Sequence, residues 1–165
     1  MTDPYLDDEL TDPRAGVRRP VPWNGPVLSV RDLKVRFSTD DGELRAVDGV
    51  SFDVKANEVL GIVGESGSGK TVTSMAILGL LPPRARISGE VLFKGEDLLR
   101  LLEREVRTLR GGRMAMVFQD ALAALNPVYT VGDQIIEAVR VHQPGLNKQA
   151  LRERALDLIE LVGIP

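Results

Sequence analysis

The sequence lacks, or has little of, the residues on which several classes of protein depend. It contains no cysteine, which excludes disulfides, thiolate metal sites and a cysteine nucleophile. Aromatic residues make up only 4% of the chain and the net charge is −3, whereas a nucleic-acid-binding surface needs a basic face with interleaved aromatic rings. We therefore expect no nucleic-acid partner.

Long apolar runs are also missing. No run approaches the roughly 20 residues that a membrane-spanning helix requires, and the N-terminal segment is acidic where a secretory signal would be basic and then apolar. Of the 165 residues, 43% are apolar, which suffices for the core of one ordinary domain. We expect a globular protein of cytosolic type that is not itself embedded in a membrane.

The strongest motif lies between an apolar run at residues 59–63 and a helical pattern at residues 72–81. Residues 64–71 read Gly-Glu-Ser-Gly-Ser-Gly-Lys-Thr and match G-x-x-x-x-G-K-[ST] in full. Such glycines let backbone N–H groups converge at a helix N-terminus, which binds phosphate. We expect Lys70 to lie between the β and γ phosphates and Thr71 to bind Mg²⁺. The alternative, a chance Gly/Ser turn, is disfavoured by the flanking strand and helix patterns.

The segment before this motif divides into two parts. Residues 1–26 contain five prolines and several acidic residues without a sustained period, so we expect a disordered or loosely docked extension, with Trp23 as a surface anchor. Residues 28–37 and 44–54 then predict two β segments, which are antiparallel because the turn between them is short. Phe37 ends the first segment. A phenylalanine in a strand is usually a core residue, and without further information we expect the same of Phe37.

After the phosphate loop, strand and helix patterns alternate. We predict a helix at 72–81 stopped by two prolines, a strand at 89–93, a helix at 96–109, a buried strand at 113–118, and helices at 131–141 and 148–162. His142, the only histidine, ends a helix, where a solvated cation is a better interpretation than a catalytic base.

Gln119 directly follows the predicted strand at residues 113–118. Ligands of open α/β sheets bind just outside the carboxyl ends of the strands, so Gln119 is placed to reach Mg²⁺ or the attacking water. A helix or turn cap explains its position equally well on spacing alone, and both interpretations stay open at this point.

The sequence resembles a known protein family from about residue 27 to the end of the chain. The resemblance is carried by four stretches, residues 46–52, 64–71, 110–120 and 125–135. In these stretches the sequence resembles the ATP-binding subunits of ABC transporters, and among them the peptide (dipeptide and oligopeptide) and nickel importers. The resemblance implies an α/β P-loop NTPase fold, an ABC-type nucleotide-binding domain with an N-terminal antiparallel β subdomain and the start of a helical subdomain.

The resemblance also implies a role for each matching residue. Lys70 and Gln119 would be catalytic, and Thr71 and Gln119 would contact Mg²⁺. Phe37 takes the place of the aromatic residue that stacks on adenine, an interaction of roughly 1 kcal/mol. The residues expected to bind ATP are Phe37, Gly64, Glu65, Ser66, Gly67, Ser68, Gly69, Lys70, Thr71 and Val72.

The family's organisation follows from the same resemblance. Residues 27–118 would form the nucleotide-binding core, and residues 119–165 the Q-loop and the first helices of an incomplete helical subdomain. The protein would be peripheral at the cytoplasmic face of the cell membrane. Its partners would be transmembrane permease subunits, a second ATP-binding subunit, identical or paralogous, and indirectly a substrate-binding protein.

The sequence departs from the family pattern in two ways. Ala121 stands where the family usually has proline, so we expect a less stiff loop after Gln119. The signature loop, the Walker B strand and the switch histidine have no counterpart, so we expect the first part of such a domain, ending before them. Its strand at residues 59–63 would then be an exposed sheet edge, with marginal stability.

Two other functions are compatible with a phosphate loop. One is another P-loop NTPase such as a GTPase or a small-molecule kinase, but residues 147–150 have Ala150 where a guanine-binding Asn-Lys-x-Asp needs its carboxylate. The other is a non-catalytic nucleotide-binding module or remnant, which a gene continuing into a signature and a Walker B strand would exclude.

We predict that this chain by itself binds ATP without hydrolysing it at a useful rate, because no residue matches the general base that would activate water. Phosphate release from the purified chain is the measurement, with Lys70→Ala as the matched control. Steady turnover that Lys70→Ala abolishes would contradict the prediction.

Overall fold

A computed structural model describes residues 23–40, 42–119 and 124–163. The expectations for the extension before Trp23, for the loop that contains Ala121 and for the tip of the first β turn at Asp41 lie outside the described residues.

Within these ranges the strands are β1 (Leu28–Thr39), β2 (Gly42–Val54), β3 (Ala85–Phe93) and β4 (Glu96–Asp97). The helices are α1 (Lys70–Ile77), α2 (Glu103–Leu109), α3 (Val131–His142) and α4 (Lys148–Leu161), with a 3-10 turn at Leu98–Arg100. The strands form an antiparallel sheet in the order β2-β1-β3-β4.

Strand β1 lies inside the sheet and supplies most of the core. Val30, Leu33 and Val35 are completely buried, as is Val91 of β3. Ala76 of α1 packs into the same cluster, so the helix that follows the phosphate loop lies against this sheet. The predicted antiparallel pairing of the two N-terminal β segments is confirmed.

A bulge at Asp32 divides β1. Asp32 has a φ of 45°, and the pairing shifts between Val30 and Leu33. The hydroxyl of Ser51 accepts a hydrogen bond from the Asp32 N–H at 2.8 Å. On the opposite side a Cβ built on Gly89 would lie 2.5 Å from the Asp32 carbonyl oxygen. The bulge lets both Val30 and Leu33 point into the core, and it needs glycine beside it.

Two predicted strands do not form in the described chain. Residues 59–63 and 115–118 belong to no strand, and Val59, Val63 and Val117 are 97%, 94% and 96% exposed. The prediction of a buried strand at residues 113–118 is therefore wrong. Apolar composition favours a strand, but a parallel strand also needs neighbours on both sides, and the described sheet supplies none. Residues 59–63 are exposed but do not form the predicted sheet edge, because they belong to no strand.

The helices agree with the sequence in part. Helices α3 and α4 are confirmed within a residue. Helix α1 begins at Lys70 and ends at Ile77, before the prolines, because Gly79 with its φ of 63° closes the helix with backbone bonds from Gly79 and Leu80. The single helix predicted at 96–109 is also wrong. Asp97 accepts from the Leu99 N–H at 3.2 Å and starts the 3-10 turn instead.

Trp23 lies against the turn between β3 and β4. Its indole N–H donates to the Pro26 carbonyl at 2.6 Å, and a Cβ built on Gly95 would lie 2.6 Å from its ring. This contact agrees with the predicted surface anchor.

None of the helices described combines the length and apolar character needed to cross a bilayer.

We predict that Gly89→Ala lowers the free energy of unfolding by about 2 kcal/mol more than Gly42→Ala. Both glycines have positive φ, at 105° and 125°, but a Cβ on Gly42 would meet nothing within 4 Å. Urea unfolding of the two variants isolates the clash with Asp32, and equal losses would contradict the account of the bulge.

Candidate nucleotide site

The loop at residues 64–69 is shaped by two glycines and one internal hydrogen bond. Gly67 and Gly69 have φ values of 82° and 89°, a region that glycine enters without strain. The Ser68 N–H donates to the Glu65 carbonyl at 3.2 Å. The loop therefore turns back on itself before the chain enters α1 at Lys70.

Gly69 fixes this loop on the sheet. Val35 pairs with Val47 and Arg36 pairs with Arg45, so Ala46 is an extra residue in β2. A Cβ built on Gly69 would overlap the Ala46 carbonyl oxygen. Because any side chain would push the loop away from β2, the final glycine of the motif sets the position of the loop as well as its curvature. The motif in the sequence predicts a glycine at position 69, but nothing in the sequence indicates that this glycine packs against the Ala46 carbonyl.

The Lys70 ammonium lies inside the loop. It donates to the carbonyls of Gly64 and Glu65 at 2.8 and 2.7 Å, and it lies 3.3 Å from the Ser68 hydroxyl. Charged phosphate oxygens accept stronger hydrogen bonds from an ammonium group than neutral carbonyls do, so a bound phosphate can take the place of these oxygens. The charge expected to contact the β and γ phosphates is thus already centred on the loop.

The N-terminus of α1 favours an anion. Its cap is Gly69, which has no side chain to accept from the first N–H groups, and the first turn has no acidic residue. The helix dipole adds partial positive charge at this end. The Thr73 N–H donates back to the Gly69 carbonyl at 2.8 Å, which ties the first turn to the loop. The loop and helix end together can therefore bind a polyphosphate.

The predicted binding residues differ in exposure. Glu65, Ser66 and Thr71 are exposed, whereas Val72 is partly buried and packs against the core. Thr71 is therefore accessible to a metal ion, and Val72 offers its backbone. The described residues contain no cluster of three or more His, Cys, Asp or Glu that could bind a metal. A Mg²⁺ would fit here only through Thr71, an amide such as Gln119 and the phosphates themselves.

Phe37 lies on the part of the sheet that supports the loop. It is partly buried, packs against the core and pairs with Leu44 and Ala85. It lies one same-face step, roughly 7 Å, beyond Val35, whose partner Val47 touches Gly69. The core interpretation describes the contacts that Phe37 makes, and its stacking on adenine stays a prediction.

The position of Gln119 is set by the extended segment that precedes it. Gln119 is exposed at the end of the extended segment 115–118, and no hydrogen bond of the described residues joins it to Lys70 or Thr71. Because that segment pairs with no strand, nothing in the sheet fixes its distance from the loop.

An apolar cavity of about 370 Å³ lies elsewhere, between α1, β3 and the segment after α2. Ile77, Phe93, Met114 and Met116 contribute to its lining, and no residue of the loop does. Its lining does not suit phosphate.

The glycine loop closed around a lysine and the helix that starts at that lysine are the features of a phosphate-loop NTPase. The ABC transporter family matches residues 47–165, more than half of the chain, and the chain belongs to this family. The resemblance inferred from the sequence is confirmed, as is the predicted fold class.

Curated relatives include transport ATP-binding proteins from several bacteria. The dipeptide transport ATP-binding protein DppD of Escherichia coli is 53% identical over 140 residues, which cover 84% of this chain and 42% of that protein. The oligopeptide transport ATP-binding protein OppD of Mycobacterium tuberculosis is 50% identical over 139 residues, covering 84% of this chain and 23% of that protein. The chain thus spans less than half of the length of these relatives.

Solved structures agree on the fold. A dimeric structure of MJ0796, a bacterial ABC transporter cassette, has a TM-score of 0.68 at 21% identity, covering 81% of this chain and 56% of that chain. A post-hydrolysis state of the same cassette bound to ADP and Pi has a TM-score of 0.68 at 22% identity. At this identity the likeness concerns the fold alone.

We predict that Gly69→Ala weakens the binding of magnesium ATP by about tenfold or more, because the new Cβ displaces the loop from Ala46. Gly61→Ala is the matched control, since a Cβ there would meet nothing within 4 Å. Titration calorimetry measures both. Unchanged affinity in the Gly69 variant would contradict the proposed anchoring of the loop.

Proposed function

We propose that the chain is the nucleotide-binding part of an ATP-binding subunit that energises a peptide-type ABC importer. The observation that carries this proposal is the position of the Lys70 ammonium, within 2.8 Å of two loop carbonyls at the N-terminus of α1. A cation beside a helix N-terminus whose first N–H groups have no side-chain cap is suited to bind a triphosphate.

In this proposal each part of the site has a defined role. Residues 64–72 bind the phosphates, Thr71 and Gln119 bind Mg²⁺, and Phe37 stacks on the adenine ring. The bound metal would neutralise charge on the β and γ phosphates. Lys70 would stabilise the charge that develops as the γ phosphate leaves, and Gln119 would orient the attacking water.

We assign hydrolysis to the intact protein. The matched relatives are more than twice as long as the matched segment, and Gln119 does not contact the loop in the described residues. Two such domains would close on two ATP molecules, and hydrolysis would reset them. The alternative of a non-catalytic nucleotide-binding module uses the same loop and differs only in turnover.

We further propose that residues 27–118 are the nucleotide-binding core, that residues 119–165 begin a helical subdomain, and that residues 1–26 are an extension. Support comes from the buried residues of α3 and α4, which are Val139, Leu151 and Ala155. They lie outside the core cluster around β1 and form a second apolar contact.

Peptides are the proposed solute, because the names of the curated relatives include dipeptide and oligopeptide transport.

The protein would lie at the cytoplasmic face of the membrane, bound to transmembrane permease subunits and a second ATP-binding subunit. A substrate-binding protein would be an indirect partner. A groove of about 450 Å³ between α3 and α4 is the surface that we propose for a directly bound protein partner. Its lining combines apolar residues such as Ile136 and Ile159 with Arg140, Lys148 and Arg152.

We predict that Lys70→Ala weakens ATP binding about ten- to hundredfold, because a charge-assisted contact to phosphate is lost. Lys55→Ala, which removes an exposed lysine away from the loop, is the control and should bind as the wild type does. Competition titrations of a fluorescent ATP analogue measure the affinities. ATP and GTP compete in the same titration, and a clear preference for GTP would contradict the proposal.

A further inference from the structure

The side chain of Arg110 crosses from the end of α2 to the end of α1. Its Nε donates to the Leu78 carbonyl at 2.6 Å and its Nη2 to the Gly79 carbonyl at 2.9 Å. The side chain is only 21% exposed. One guanidinium thus binds two carbonyls at the C-terminal end of the helix that starts at the phosphate loop.

Helix α1 supplies no cation to its own C-terminal end. Its last turn contains no basic residue, although a helix C-terminus leaves carbonyls without intrahelical partners and carries partial negative charge. Its N-terminus meanwhile begins with Lys70, a charge that the helix dipole opposes. Arg110, from a distant part of the sequence, supplies the cation that the end of α1 lacks.

Glu103 fixes the orientation of the guanidinium. Its carboxylate accepts from Nη1 at 2.8 Å and from Nη2 at 3.1 Å, a bidentate geometry that sets the plane of the fork. The hydrogen bond from Arg110 lowers the pKa of the Glu103 carboxyl below its usual value. Since Glu103 is the first residue of α2, α1 and α2 are joined through Arg110.

The backbone of Arg110 begins the turn from which the Gln119 segment leaves. Arg110 forms a β-bridge with Met114, and the Gly111 N–H donates to the Met114 carbonyl at 2.7 Å. The end of α3 lies on the same turn, because a Cβ built on Gly111 would overlap the His142 ring. Met114 then leads through an extended stretch to Gln119.

We propose that Arg110 is a positioning residue of the nucleotide site, which holds the end of the phosphate-loop helix against the turn that begins the Gln119 segment. Helix α1 spans about 12 Å as a rigid rod, so a shift at its C-terminus moves the loop at its N-terminus. The inference rests on the proposed function in one respect, that Lys70 and Gln119 serve one nucleotide.

Hydrogen exchange of the full-length protein tests the link without nucleotide. Arg110→Gln removes the bridge, Arg110→Lys keeps the charge but cannot bind both carbonyls and Glu103, and Glu103→Gln leaves the carbonyl bonds in place. We expect exchange at residues 78–80 and 111–114, where the amides of Leu78, Gly79, Leu80, Gly111, Arg113 and Met114 are hydrogen-bonded, to rise about tenfold in both Arg110 variants and less in Glu103→Gln. Arg100→Gln is the control, since Arg100 pairs with Asp97 at 2.9 Å while 78% exposed.

The location of the increased exchange distinguishes a local effect of Arg110 from a general loss of stability. A rise that is confined to the two named segments supports the inference. A rise that extends equally to β1 and β3 indicates general loss of stability and overturns it, as does unchanged exchange. Should Arg110→Gln fail to fold, Arg110→Lys and Glu103→Gln decide between the same outcomes.

A second measurement adds magnesium with a non-hydrolysable ATP analogue. We expect the analogue to slow exchange at residues 111–119 in the wild type, and this protection to be lost in Arg110→Lys at analogue concentrations that saturate both proteins. Protection retained in the variant, or absent from a wild type that binds, would overturn the inference. A wild type that does not bind the analogue overturns the proposed function instead, and the exchange measured without nucleotide still tests the Arg110 bridge.

Discussion

The contact between Gly69 and the carbonyl of Ala46 is the constraint on which the nucleotide site depends. A loop made largely of glycine and serine has many conformations available to it, and binding phosphate requires one of them. Because Ala46 is an extra residue in β2, its carbonyl reaches the loop, and Gly69 can pack against it without a side chain. The antiparallel sheet thereby fixes where the loop ends and where α1 begins.

Helix α1 connects this anchor to the rest of the chain. Its first residue, Lys70, donates to the loop carbonyls, and its last carbonyls accept from Arg110. Ala76 holds the middle of the helix against the core of the sheet. The helix is thus held by the loop contacts of Lys70 at its start, by Ala76 in its middle and by Arg110 at its end, where a cation suits the helix dipole.

The parts of the family site differ in how completely they are formed. The phosphate loop is closed and hydrogen-bonded, whereas the segments at residues 59–63 and 115–118 are extended and exposed. Both are apolar, and in a parallel sheet such segments are stable only between neighbours. The position of Gln119 depends on one of these segments, which the described sheet does not pair with a neighbour.

The sequence by itself determined the phosphate loop, the antiparallel pairing of the first two strands, the two helices after residue 130 and membership of the ABC transporter family. These features depend on local patterns: a glycine spacing, an alternation of period two, or an apolar stripe of period 3.6. The tertiary structure alone decided that Gly79 ends α1, that Ala46 supports Gly69, and that Arg110 caps a helix more than thirty residues away. Such contacts join residues distant in sequence, and no local pattern records which carbonyl a glycine or a guanidinium will meet.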